Sequence, residues 1–493
     1  MGTLLALAFL WAAAQLDEGI AFAPAAIADA IVRLTPGDAT TFLIEALGPW
    51  AMRLLALAVG LGTIAVGAEI YRRTASDGRP SPWRGALLLA VLAAAVSGLV
   101  PSDDAAPVPT GIALMIAAAV YELTARRVHH QFWLVRGDAD KHRRYVLRLG
   151  AATAAGVVVG GASASWFARR FGGPDTDIAL VAPERPAIAP AREPFPEIDG
   201  LSPEITSVAD HYVVDIDIFD PTVEAEGWRL RVGGLVDEPL ELDVASLQAD
   251  FEVVEEFSVM TCISNEVGGG LVGNSAWGGV RLTDVLERAG VSEGAVDVVL
   301  RAADGYADSI PLSVAMEPFT LLAVSHNGAP LTQEHGFPCR LRVPSIYGMK
   351  NVKWLTDVEV VAEDYQGYWM DRGWSDEAVV KTESRIDVAG IDRAGKVGEE
   401  TWVAGVAWAG SRGISKVEVS TDDGVTWQEA LLKEPLAPNA WRLWAYRWTP
   451  ARAGRILVLC RATDGDGVTQ TKKTADPHPS GASGYHGLDV EVS

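Results

Sequence analysis

The first third of this chain is a series of apolar runs parted by clusters of arginine, and such material has few ways to fold. Residues 2–16, 49–71, 85–100, 108–123 and 145–167 mostly approach the ~20 residues that a helix needs to cross the ~30 Å hydrocarbon layer. We therefore expect about five transmembrane helices, with 2–16 the weakest of them. That run is short enough for a signal peptide, but it has no small-residue cleavage site with a preceding charge. Arg72, Arg73, Arg79 and Arg84 fill one connection; Arg126, Arg127, Arg136, Lys141, Arg143 and Arg144 fill another, with Asp103 and Asp104 in the turn between. Basic loops stay cytoplasmic, so everything after Phe171 is expected outside, although Arg169 and Arg170 run against the rule. His129, His130 and His142 all lie in the second basic loop, which disfavours a haem held between the helices. The region reads as an anchor in a lipid bilayer.

Charge separates this anchor from the rest of the chain. Residues 1–172 hold 15 Lys and Arg against 12 Asp and Glu, so the net charge of -23 falls wholly on the remainder. An acidic portion of this kind repels phosphates and excludes nucleic acid as a partner. Between the two, residues 173–204 are rich in proline and read as an extended tether. Cys262, Cys339 and Cys460 are odd in number and far apart, so no disulfide framework is readable. Arg143-Arg144-Tyr145-Val146-Leu147-Arg148 resembles a twin-arginine export signal, a route suited to a protein that leaves the cytoplasm folded around a cofactor; an ordinary positive-inside cluster reads the same way.

The chemistry concentrates between Val259 and Gly290. Phe257, Val259 and Thr261 alternate with Ser258, Met260 and Cys262 as in a half-buried strand, which gives way to a loop at Asn265 and Gly268 to Gly270. Leu282, Val285, Leu286 and Ala289 then fall at helical spacing, with Gly290 placed to end the helix in a left-handed turn. A thiol at a strand end, facing a glycine loop, suits a soft metal or an anionic cofactor; a lone cysteine is also often an inert small hydrophobe. No CxxC pair, HExxH helix or CxxCH site is present, which disfavours zinc, iron-sulfur and c-type haem.

This stretch, together with Asp304-Gly305-Tyr306, His335-Gly336-Phe337-Pro338-Cys339-Arg340 and Asn351-Val352-Lys353-Trp354, resembles the sulfite oxidase family of molybdopterin enzymes from about Asp210 to the C-terminus. The resemblance implies a molybdenum-molybdopterin cofactor, with Cys262 as the thiolate ligand of the metal. It places Asp304, His335, Arg340 and Lys353 at cofactor-binding positions, with Asn351 and Val352 adding backbone contacts. Arg grips phosphate as a fork and Lys as a point charge. The family's sulfite-binding Arg falls on Val213 here, and its active-site Tyr on Trp374. Val cannot pair with an anion and indole cannot exchange a proton as phenol does, so sulfite is a doubtful substrate. His211 or Arg372 is expected to substitute.

Strands such as 212–216, 228–232 and 296–301, mixed with the helix at 282–289, make residues 205–380 an α+β catalytic domain. Short apolar runs at 402–408, 417–420, 444–448 and 456–461, punctuated by Asp422-Asp423-Gly424 and Asp464-Gly465-Asp466-Gly467, give 381–493 the rhythm of an immunoglobulin-like β-sandwich. It resembles the family's dimerisation domain, which implies a homodimer. The whole reads as a membrane-anchored, extracytoplasmic oxidoreductase performing two-electron oxygen-atom transfer on a small-molecule or sulfoxide-type substrate, with an electron-transfer partner that the sequence leaves unnamed. The competing readings are a thiol hydrolase, with Cys262 as nucleophile and His335 as base, and a non-catalytic surface binding protein.

Overall fold

The computed structural model describes residues 195–216, 220–390 and 394–493, residues 176 and 178–183, and scattered positions nearer the N-terminus. Most of the expected spans, most of both arginine-rich loops and much of the proline-rich tether lie outside the described residues. Among those described, no helix is long and apolar enough to cross a membrane.

The central part is mostly β, with Val244–Asp250, Leu282–Ala289 and the single turn Leu312–Ala315 as its described α-helices. Period-two apolar patterning outweighs the helical stripes, so the mixed α+β expectation overstated the helices. One sheet orders Ala329–Pro330, Leu321–His326, Val272–Arg281 and Val253–Thr261, with Arg340–Arg342 also paired to Leu321–His326. The other orders Leu240–Leu242, Leu230–Gly234, Leu355–Val361, Asp297–Ala302 and Ala307–Pro311. Only Leu230–Gly234 and Leu355–Val361 run parallel in that sheet.

Leu282–Ala289 forms where its stripe places it, burying Leu282, Val285, Leu286 and Ala289. Gly290, at φ 71°, closes it by donating its amide to the Leu286 and Glu287 carbonyls, a left-handed cap that costs glycine no Cβ clash. Val272–Arg281 pairs with Leu321–His326 through a register shift beside Gly279, where a Cβ would sit 2.0 Å from the Leu322 carbonyl oxygen.

Two expectations about strands are corrected. Val253–Thr261 is buried on both faces rather than one, because the C-terminal part covers it: the Val259 amide donates to the Asn439 carbonyl at 3.0 Å, and Phe257 and Ala276 pack with Ala437 and Ala440. Residues 212–216 form no ladder. Tyr212 is drawn inward while Val213 and Val214 both stay exposed, at 40% and 46%, so the period of two breaks there.

The C-terminal part is a β domain of two sheets. Glu383–Ala389, Thr401–Trp408, Arg442–Trp448 and Leu431–Leu432 make one; Ala394–Gly395, Gly487–Val492, Gly454–Asp464, Ile414–Ser420 and Gln428–Glu429 make the other. Their shared core includes Val403, Trp444, Trp448, Val458 and Cys460. Trp408 and Trp441 are buried as well, whereas Trp402 and Trp427 lie half-buried under Arg447 and Arg461. Asp422 is a turn former: its carboxylate accepts from the Thr426 amide and hydroxyl and from the Ser420 hydroxyl.

Glu383, at the start of its strand, is 4% exposed, and burial pushes its carboxyl up to about 8. The folded state therefore holds a proton that the unfolded chain releases near its ordinary value of about 4.3. Stability from this group should fall as pH rises from about 4.3 to about 8, by up to about 1.4 kcal/mol per pH unit. Glu383→Gln should remove that slope in denaturant titrations across the range; an unchanged slope contradicts the assignment.

Candidate active site

Cys262 follows the last residue of Val253–Thr261, and its loop closes on itself. The Cys262 amide donates to the Leu271 carbonyl at 2.9 Å, its carbonyl accepts from the Asn265 amide at 3.1 Å, and the Asn265 side chain accepts from the Leu271 amide at 2.8 Å. The thiol is 7% exposed and lies 3.0 Å from the Ser264 hydroxyl. Burial raises its pKa, against the opposing pull of Ser264 and the Ile263 amide. A thiol so placed ionises when a cation completes its surroundings. Its polar neighbour is a serine, and His335 directs Nε2 to the Val208 carbonyl at 3.0 Å, so the cysteine–histidine pair of a thiol hydrolase is not assembled.

Further along the same strand pair, opposite Glu256, Val272–Arg281 contributes Trp277, which is fully buried. His326 stacks on this indole at 4.1 Å and 10°, and His211 meets it edge-on at 5.6 Å. His211, His326 and His335 lie 5.1 to 5.6 Å apart, centroid to centroid. Arg340 and Arg342, alternate residues of one strand and so on one face of it, bring their guanidiniums 5.2 and 5.9 Å from the Trp277 ring centre. Burial first, and then the neighbouring charges, hold the imidazoles of His211, His326 and His335 down to about 3, about 2 and about 4. All three are neutral at physiological pH. His211 therefore cannot serve as a substitute cation.

The sequence-predicted cofactor residues largely converge. Arg340 donates to the carbonyls of His335 and Asn351, each at 3.1 Å, and to the Met260 sulfur at 3.5 Å. Gly336, at φ 100°, lets the chain turn so tightly that a Cβ there would lie 2.9 Å from the Lys353 Cβ and 3.2 Å from the Arg340 Cβ. Lys353 donates to the Glu334 carbonyl at 2.9 Å and lies 4.2 Å from the Trp354 ring centre. Asn351 does more than lend its backbone: its side-chain oxygen accepts from Arg342 and the Val343 amide, and its nitrogen donates to the Tyr347 carbonyl. Val352 is buried, its carbonyl accepting from the Leu341 amide.

Asp304, Trp374 and Arg372 are each held by neighbours of their own. Asp304 shapes the turn between Asp297–Ala302 and Ala307–Pro311, accepting from the Tyr306 amide at 2.9 Å; its neighbour Ala303 reaches the Trp354 carbonyl at 3.0 Å. Trp374 packs edge-on against His478 of the C-terminal domain at 5.1 Å and against Trp369 at 6.3 Å. Arg372 lies 3.6 Å over the Tyr368 ring.

Sequence reasoning passed over Arg342, His326, Trp277 and Lys350. The first could have been read from its place two residues after Arg340, and His326 from its position ending an otherwise apolar strand. Lys350 is 1% exposed and pairs with Asp308 at 3.0 Å and Asp376 at 2.8 Å. The single hydroxyl proton of Tyr306 is shared between Asp308 at 2.9 Å and the Met349 carbonyl at 2.8 Å. This network props the turn Gly348–Lys350, where a Cβ on Gly348 would meet the Tyr212 hydroxyl at 2.4 Å and the Thr261 carbonyl at 3.4 Å.

A test of fit for a cofactor comes from polar atoms that the protein itself leaves unanswered. Among the described residues, His211 Nε2, both ring nitrogens of His326, Trp277 Nε1, Arg342 Nε and the Tyr212 hydroxyl are buried without a hydrogen-bond partner. Buried polar groups are rarely left so. A large, oxygen- and nitrogen-rich anionic group fits this donor set.

Residues 218–369 match the model of the oxidoreductase molybdopterin binding domain, and residues 378–476 that of the Mo-co oxidoreductase dimerisation domain. The central part is thus a molybdopterin-binding oxidoreductase domain. The chain is 31% identical over 350 residues to the sulfite oxidase of Gallus gallus, covering 57% of this chain and 76% of that protein. It is 32% identical over 305 residues to the mitochondrial sulfite oxidase of Homo sapiens, covering 52% of this chain but only 55% of that relative's length. The sulfane dehydrogenase SoxCD from Paracoccus pantotrophus superposes with a TM-score of 0.52 over 59% of this chain and 82% of that one, at 22% identity, a likeness of fold. This chain belongs to the sulfite oxidase family of molybdopterin-dependent oxidoreductases, whose cofactor carries molybdenum.

Lys350→Met should lower stability by about 3 kcal/mol, since Asp308 is left buried without its cation. Adding Asp308→Leu should restore a good part of the loss in urea unfolding; a double variant no better than the single would show that the pair is not what holds the turn.

Proposed function

We propose that this protein performs two-electron oxygen-atom transfer on a small molecule, and that Cys262 supplies the protein's thiolate to molybdenum. What carries the reading is the match to the molybdopterin binding domain, together with a buried surface on which Arg340 meets His335 and Met260, two residues before Cys262, among unanswered polar atoms. His335, Arg340 and Lys353 would hold the anionic tail of the cofactor, with Asn351 and Val352 fixing the backbone beneath it. Bound, the cofactor supplies the redox couple and the oxygen-transfer centre. The chain's own part is to bind, orient and exclude water: the Cys262 loop is closed by its own backbone bonds, and the neutral imidazoles can donate or accept without adding charge.

Val213, 40% exposed, stands where the family pattern has an anion-binding Arg, which favours a neutral oxygen acceptor or donor such as a sulfoxide over sulfite. The apolar runs of the first 172 residues and their arginine clusters support a multi-pass anchor in the cell membrane, with the catalytic part outside. The match to a dimerisation domain supports a homodimer through an immunoglobulin-like C-terminal domain.

Elemental analysis should find molybdenum in the purified wild-type protein. Cys262→Ser should cut turnover by at least about 100-fold, the upper end of what losing an outer-shell partner costs. Comparing sulfite oxidation with sulfoxide reduction on the same preparation settles substrate class; rapid sulfite turnover rejects the preference stated here, and wild-type protein without molybdenum rejects the assignment.

A further inference from the structure

Arg342 is the charge in this molecule whose place is hardest to account for. Its side chain is 1% exposed. Nη1 donates to the Asn351 side-chain oxygen at 2.9 Å, Nη2 donates to the Val259 carbonyl, and Nε meets no acceptor. No carboxylate of the described residues pairs with it. A guanidinium does not shed its proton in proteins, and burying a cation without a counter-charge is among the most costly arrangements a fold can hold.

Its surroundings share the same deficit. Tyr212, within electrostatic reach of both Arg342 and Cys262, has a buried hydroxyl with no partner, and so have His211 at Nε2 and His326 at both ring nitrogens. These groups come from three separate segments and meet around Trp277. Donors without acceptors, a cation without an anion and imidazoles kept neutral together describe a receptor for an anionic oxygen group.

We propose that Arg342, with Tyr212, His211 and His326, seats a phosphate or a small oxyanion. The proposal rests on the reading of the site as a molybdopterin centre only for the choice between two sources of that anion. One is the phosphate end of the cofactor; the other is an anionic substrate.

The test uses full-length protein purified with its cofactor, as wild type, Arg342→Gln and Arg342→Lys. Molybdenum and pterin are measured together, and inorganic sulfate and phosphate binding is followed by calorimetry. If the anion is the cofactor's phosphate, Arg342→Gln loses molybdenum and pterin in parallel, at least tenfold, and Arg342→Lys keeps a measurable part. If it is a substrate oxyanion, Arg342→Gln keeps its cofactor but binds sulfate or phosphate at least tenfold more weakly. Full cofactor content together with unaltered anion binding in Arg342→Gln overturns the proposal. A purely structural arginine is distinguished by an Arg342→Gln protein that melts at a lower temperature yet keeps its cofactor and its anion binding, since the bonds to Val259 and Asn351 would then be the whole of its role. Wild-type protein lacking molybdenum and pterin would sink the cofactor reading and leave the anion-binding arm to decide on Arg342.

Discussion

Two arginines pressed toward one buried indole set the terms for the catalytic half of this molecule. Arg340 and Arg342 stay charged wherever the chain puts them, so the surrounding structure has to answer their protons. It does so largely with backbone: the carbonyls of His335, Asn351 and Val259, from three different segments, all accept from these two side chains. The guanidiniums thereby tie the Cys262 strand to the His335 turn and the Asn351 loop. Their field has a second effect. Together with burial, it keeps His211, His326 and His335 from taking up protons, so the positive charge stays on the residues best shaped to grip an oxyanion.

The Cys262 loop is held from two sides. Lys350, Asp308 and Asp376 brace the turn against Tyr212 and Thr261 on one. On the other, Arg385 of the C-terminal domain donates to the Gly269 carbonyl at 3.0 Å and to the Ser202 hydroxyl at 2.9 Å. His486 lies so close that a Cβ on Gly268 would come within 2.3 Å of its ring. Gly268, at φ 77°, is therefore needed for close approach by a neighbouring side chain as much as for its own turn. The C-terminal domain thus holds this loop from outside.

How much of this could be read in advance depended on whether the signal was local. The helix at Leu282–Ala289 and its Gly290 cap were legible because spacing and a left-handed terminator lie within one short stretch. The Cys262 loop was legible for the same reason. The burial of Val253–Thr261 on both faces was not, since it depends on Asn439 and Ala440, far along the chain. Arg342 and Lys350 were passed over because a basic residue in a sequence reads as solvated surface, and only tertiary contacts show that each is enclosed. Tyr212 to Ile216 misled in the opposite sense: alternation there looked like a strand, but the inward pull of Tyr212 and His211 toward Trp277 replaced any ladder.

The placement of Trp374 bears on what this site can do with protons. Its indole nitrogen is buried without a partner, as is Nε2 of His478 from the other domain, whose ring it meets edge-on. Indole donates a hydrogen bond but does not exchange the proton, and the histidines around Trp277 are held too acidic to be protonated near neutral pH. Tyr212 fares no better as a proton source, since burial and the nearby Cys262 drive its hydroxyl above the ordinary phenol range. The protein groups of this site are thus suited to fixing an oxygen-bearing group by donors and charge. They are poorly suited to general acid catalysis, so the protons that a reduction such as that of a sulfoxide consumes, two for each oxygen released as water, have to come from solvent.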